Sequence, residues 1–180
     1  MKLISKTLPY LLSTALLLMI FALQSCNYSF TGTSLSDNIK AITVRQFENY
    51  AGDGPATISQ TFTESLRDLY QRNTRLNVVN DGESDLQVEG EIIGYTTSPS
   101  TPSTSGNSDQ VDIASQTRLK ITVKVVFINL TNEEEDFEKT FSNFRDFPSD
   151  KPLSSVESGL IDEIFEDITL DIFNATVANW

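Results

Sequence analysis

Arg118-Leu-Lys-Ile-Thr-Val-Lys-Val-Val-Phe-Ile-Asn129 is the stretch on which the fold turns. Leu119, Ile121, Val123, Val125 and Phe127 fall on one side of an extended chain, with Arg118, Lys120, Thr122 and Lys124 on the other. Period-two alternation over this length describes a strand with one buried and one wet face. A sheet that leaves one face in water is normally antiparallel, so strands are expected on both flanks in sequence.

Upstream, Leu86, Val88, Ile92 and Tyr95 form a second long strand, alternating with Gln87, Glu89 and Glu91. The connection between the two, residues 98–116, is rich in Ser, Thr, Pro and Gly and reads as a flexible hairpin loop. Downstream, Asn129 to Asp136 is an acidic turn and Phe137 to Phe147 another strand, ended by Pro148. Phe141, Phe144 and Phe147 depart from strict alternation there, which predicts a bulge. Nearer the N-terminus, Ile39 to Phe47 reads as a strand with Ile42 and Val44 on one face. Glu48 to Pro55 reads as a loop, and Leu76 to Val79 as a short strand-like piece before a turn at Asn80-Asp81-Gly82.

Two helices complete the pattern. Ile58, Phe62, Leu66 and Leu69 trace an apolar stripe that reaches Asn73, opposite Arg67, Asp68, Gln71 and Arg72. The last helix, about residues 155–179, has an apolar face of Val156, Leu160, Ile161, Ile164, Phe165, Ile168, Ile172 and Phe173. Its solvent face carries Glu157, Asp162, Glu163, Glu166, Asp167 and Asp171. Thr57-x-x-Gln60 and Ser154-x-x-Glu157 have capping-box spacing. The sum is an α+β sandwich (α/β in the broad sense), with a mixed sheet of about four strands and both helices packed on one face. There is no internal repeat.

The first 25 residues have a different character. Lys2 and Lys6 precede an almost wholly apolar run from Leu8 to Leu23, then Gln24, Ser25 and the only cysteine, Cys26. That is the layout of a secretory signal, shorter than the roughly 20 apolar residues of a spanning helix. Leu23-Gln24-Ser25-Cys26 resembles the lipobox of bacterial lipoproteins, which implies cleavage between Ser25 and Cys26 and lipid on the Cys26 thiol. Residues 26–38 then serve as a lipidated tether and 39–180 as the domain. Removal of Lys2 and Lys6 from the 13 basic residues leaves 11 against 25 acidic ones, a net charge of −14. Such a balance excludes a nucleic-acid partner, which needs a basic stripe.

Chemistry has few footholds. The chain has no histidine, and its one cysteine is consumed by lipid, which removes the common nucleophilic and zinc constellations. Phosphate-binding and dinucleotide fingerprints are missing, so neither an enzyme nor a non-covalent cofactor is expected. The acidic runs at 133–136 and 81–85 offer calcium oxygens without EF-hand spacing, and read as solvated turns. Arg118, Lys120 and Lys124 are the one basic cluster. They could meet an anionic glycolipid, but pairing with Glu89 and Glu91 across the hairpin is the favoured reading.

With these elements in place, several segments are similar to the LptE family of lipopolysaccharide-assembly lipoproteins. They are Cys26-Asn-Tyr28-Ser-Phe30-Thr-Gly32, Ile39 to Asn49, Ser59-Gln-Thr-Phe62-Thr-Glu64-Ser-Leu66 and Glu89-Gly90-Glu91-Ile92-x-Gly94-Tyr95. Leu153 to Glu157 and the ending Val177-Ala-Asn-Trp180 fit as well. The resemblance implies a plug inside the outer-membrane β-barrel LptD, which it helps to fold, and a part in lipopolysaccharide passage to the cell surface. It leaves direct contact with lipopolysaccharide open, since none of the family's basic contacts is matched residue by residue. In that setting the polar face of the central strand, Arg118, Lys120, Thr122 and Lys124, is the expected partner-binding surface, on the periplasmic side of the outer membrane. Two other readings are an outer-membrane lipoprotein that activates a cell-wall synthase and a further non-catalytic periplasmic or surface module.

Overall fold

The computed structural model describes residues 38–80, 83–100 and 116–177, all of which fall within one compact unit. The signal segment, Cys26 and most of the tether lie outside them. Six strands are β1 (Ala41–Val44), β2 (Glu48–Asn49), β3 (Asn77–Val79), β4 (Leu86–Ser100), β5 (Gln116–Asn129) and β6 (Phe137–Pro148). The helices are α1 (Ile58–Asn73) and α2 (Glu157–Val177). The architecture is the expected α+β sandwich with a mixed sheet, but with six strands rather than about four.

The sheet order is β3-β1-β4-β5-β6, with β2 also paired to β4. β4, β5 and β6 form an antiparallel meander, whereas β1 runs parallel to both β3 and β4. β2 and β3 are held by main-chain pairing over two or three residues, too few to show a side-chain period. Alternation in β5 holds throughout: Leu119, Ile121, Val123 and Val125 are fully buried and Phe127 nearly so.

The register break lies in β4, not in β6. Pairing shifts between Ile92 and Gly94, so both Ile92 and Tyr95 face inward although three residues apart. β6 keeps an unbroken register with β5. Counted back from the buried Phe147, Phe141 faces inward and Phe144 faces water. The ladder also runs into both ends of the 98–116 stretch, pairing Ser98 with Arg118 and Ser100 with Gln116. Residues 101–115 lie outside the described residues.

Both helices cover the inner face. α1 buries Ile58, Phe62, Leu66 and Tyr70, while Asn73 is exposed, and α2 buries its apolar stripe from Ile161 to Val177. Phe62 joins the layers, with its ring 4.8 Å from Phe47 and 4.9 Å from Phe165, both edge-on. Neither capping box forms as expected. Thr57 makes no side-chain cap, since its own backbone is already helical (φ −88°, ψ −1°) rather than extended as a capping residue needs, and Gln60 donates to Glu64 instead. Glu157 accepts from the Tyr95 hydroxyl, which ties the start of α2 to β4, while a 3-10 turn at Leu153–Ser155 leads into the helix.

Candidate partner-binding face

The face of the sheet away from the helices carries no covering element among the described residues. Arg118, Lys120, Thr122 and Lys124 project from it side by side, as the alternation of β5 requires. Their partners differ from the expected ones. The Arg118 guanidinium grips Asp146 of β6 with two hydrogen bonds, Nε to Oδ1 at 2.8 Å and Nη2 to Oδ2 at 2.9 Å. It also lies 3.7 Å from the centre of the Phe144 ring. This fork geometry raises the affinity of Arg118 for its proton and holds the Asp146 carboxyl below the usual carboxylate range. Lys124 Nζ meets Glu138 Oε1 at 2.9 Å, which raises the lysine's affinity for its proton.

Glu89 pairs with Arg45 of the β1–β2 link at 3.1 Å, and Glu91, although opposite Lys124 in the ladder, forms no ion pair among the described residues. The physical reason is that β5 is a central strand. Its outer side chains have carboxylates on both flanks, and those of β6 are the ones in reach. Thr122 is half-buried between Gly94 and Ser142. Lys120 stands exposed between Thr96 and Phe144 and makes no ion pair among the described residues.

Reading the sequence missed Glu138, Phe144 and Asp146 as members of this face. The signal was present: unbroken alternation from Phe147 puts all three on the outer side. Phe144 is 42% exposed, one of few large apolar side chains left in water. The result is a flat surface of paired charges, hydroxyls and one aromatic ring. A shallow depression of about 220 Å³ lies between Arg45, Glu89, Glu91 and Lys124.

The carboxylate runs do not converge on an ion site. Glu135 accepts from the amides of Asn129 and Asn132, and Asp136 accepts the Asn129 N–H, so these groups cap their own turn. Of the other run, residues 81–82 lie outside the described residues, and Asp85 accepts from the N–H groups of Lys40 and Ala41. Among the described residues no group of three or more acidic or cysteine side chains is placed to hold a metal. Ser25 and Cys26 lie outside the described residues.

A family model described as LptE, lipopolysaccharide-assembly, matches residues 39–176. No curated protein sequence matches the chain. Among solved structures, the hypothetical protein CT253 from Chlamydia trachomatis is 8% identical with a TM-score of 0.51, covering 78% of this chain and 99% of its own. That likeness extends to the fold. A minor lipoprotein from Acinetobacter baumannii is 15% identical with a TM-score of 0.46, over 75% of this chain and 90% of the other.

Proposed function

Because the chain belongs to the LptE family of lipopolysaccharide-assembly proteins, we propose that it is a lipid-anchored, non-catalytic component of the outer membrane that plugs and helps assemble the LptD β-barrel. The family match across nearly the whole described domain carries this reading. The form of the domain supports it. One sheet face is buried under two helices, and the other is a polar surface with its charges largely paired. Such a surface suits the polar lumen of an outer-membrane barrel better than a lipid phase. The lipid on Cys26 would hold the domain at the periplasmic leaflet, and three acyl chains exceed what stable anchoring requires.

The test is recovery of the tagged full-length protein from detergent-solubilised membranes. The expected result is a single large β-barrel protein in near-equal amount. Recovery of cell-wall synthases with no barrel would replace this reading by the activator one. In parallel, Cys26→Ser is expected to abolish incorporation of a clickable fatty acid, and equal labelling of both forms would refute the lipid assignment.

A further inference from the structure

The sheet ends differently on its two sides. β3 closes one side with only three residues, whereas β6 closes the other with 12 and has no strand beyond it among the described residues. A long open edge is a template for another strand, and proteins usually blunt it. Side chains cap the main chain of β6 near its middle, and Pro148 at its end has no N–H to offer. In an antiparallel ladder, opposed residues alternate between pairs that exchange both main-chain bonds and pairs that exchange neither. Phe144 belongs to the second kind: its N–H donates to Asn143 Oδ1 at 2.7 Å and its C=O accepts from Arg145 Nη1 at 3.0 Å. Arg145 is fixed in turn by Asp167 at 2.7 Å and Glu163 at 2.8 Å on α2.

Because the β5–β6 register is unbroken, Glu138, Thr140 and Ser142 turn their main-chain groups toward the same open side. No side chain among the described residues caps them. Along this segment Phe137 and Phe141 face inward but are only half-buried, whereas Phe147, at the far end of the strand, is buried. The open edge thus offers unpaired donors and acceptors beside incompletely covered aromatic rings. A β-strand satisfies both at once.

We propose that Glu138–Ser142 receives an extended segment of the barrel partner as a seventh strand, an inference that rests on the barrel reading above. Three features select this occupant. A strand of five residues buries far less than the roughly 1,200 Å² of a stable interface, so it must be held to the domain by other contacts as well. The outer side chains of this edge, Thr140 and Ser142, are continuous with Phe144 and the face assigned to the barrel. A second copy of the lipidated chain would bring another net charge of −14 (11 basic against 25 acidic residues) against the first, which opposes self-pairing.

The experiment places a photoreactive residue at position 140 or 142 of the full-length lipidated chain in cells, with position 120 in parallel. The expected result is that the barrel protein captured at 120 is also captured at 140 and 142. Thr140→Pro removes one outward N–H without touching the ladder to β5, a placement proline tolerates at an edge. It should lower barrel recovery by about fivefold to tenfold, as for one main-chain hydrogen bond. If that variant fails to fold as a purified domain, the photoreactive positions answer the same question on the intact backbone. Capture at 120 but not at 140 or 142 overturns the strand addition and leaves the barrel reading standing. Adducts only with a second copy of this chain also overturn it. Capture of no barrel at any position defeats both.

Discussion

Two polar contacts, one buried and one at the surface, carry more of the domain's specificity than their size suggests. The Tyr70 hydroxyl is wholly buried and meets Thr176 Oγ1 at 2.7 Å, joining α1 to α2. Thr176 already donates its one hydroxyl hydrogen to the Ile172 carbonyl, so Tyr70 is the donor between them. Burial also pushes the phenol's proton affinity up, so it stays neutral. Thr176→Val should therefore strand the phenol and cost about 1–3 kcal/mol. Tyr70→Phe removes donor and demand together and should cost only about 0.5–1.5 kcal/mol. Denaturant unfolding of the two variants measures the order, and an equal or larger loss for Tyr70→Phe would contradict the donor assignment. Asp85 acts at the surface. It accepts the N–H groups of Lys40 and Ala41, and these hold its carboxyl below the usual range. The stability this carboxylate adds is complete above its unfolded-state value of about 3.9 and is lost as pH falls through the lower folded-state value. Asp85→Ala should cost about 1 kcal/mol near neutrality, after allowance for solvent screening, with the deficit vanishing in strong acid. A deficit that stays constant from neutral to strongly acidic pH would remove the linkage.

At the level of strands and helices, glycine decides how closely the parts approach. A β-carbon at Gly90 would overlap the Lys124 carbonyl oxygen and the edge of the Phe47 ring, neither of which has room to move. Phe47 is fully buried and its N–H is held by Thr63 Oγ1 on α1, so the ring is fixed where β1 leaves the sheet. Gly90→Ala is expected to destabilise by about 1–3 kcal/mol through overpacking. Gly159, in the first turn of α2, has open space around it and no positive φ. Gly159→Ala should instead stabilise by about 0.5–1 kcal/mol through helix propensity and the unfolded chain's entropy. Thermal melts of both distinguish the two effects, and a stable Gly90→Ala would show that the β4–β5 pair can spread. The same elements show how far the sequence could be read. β5 and the two helices declare themselves through side-chain period, because each has one face against the core and one in water. β2 and β3 do not, since two or three residues pair through main-chain atoms that every residue type possesses. The bulge expected in β6 fails for a related reason: the spacing of Phe141, Phe144 and Phe147 suggests a break in alternation, whereas the unbroken ladder simply places Phe144 on the opposite face from the other two. The ion pairs of Arg118 and Lys124 escaped prediction because alternation gives the face of a side chain but not which neighbouring strand is nearer in charge.

For the whole molecule, the decisive asymmetry is between a sheet face sealed by helices and one left open to a partner. On the open face Arg118 and Lys124 already have carboxylates, so their charges are largely satisfied within the domain. Lys120 is different, being exposed, beside Phe144, and without an ion pair among the described residues. In the free domain its charge is solvated and contributes little to folding. Against a barrel wall it is the cation best placed to meet an acidic lumen group, where complementarity sets register and encounter rate more than raw affinity. Lys120→Glu should leave the melting temperature of the purified domain unchanged while lowering barrel recovery from membranes about tenfold, a loss of ~1.4 kcal/mol. Lys124→Glu is a poorer probe, because it sets a third carboxylate beside Glu138 and Glu91 and disturbs the free domain itself. The interaction is partly exposed, so its loss should be larger in low salt than at physiological ionic strength. Cells carrying Lys120→Glu should hold less correctly assembled barrel and admit large hydrophobic antibiotics more readily. Recovery of the barrel at the normal level from Lys120→Glu membranes, at low salt and with the permeability barrier intact, would mean that the domain docks through another surface. The groove between α1 and α2 would then be the next place to probe, because Asp162 and Glu166 there make no ion pair among the described residues, whereas Arg145 neutralises Glu163 and Asp167 on the opposite flank of the same helix.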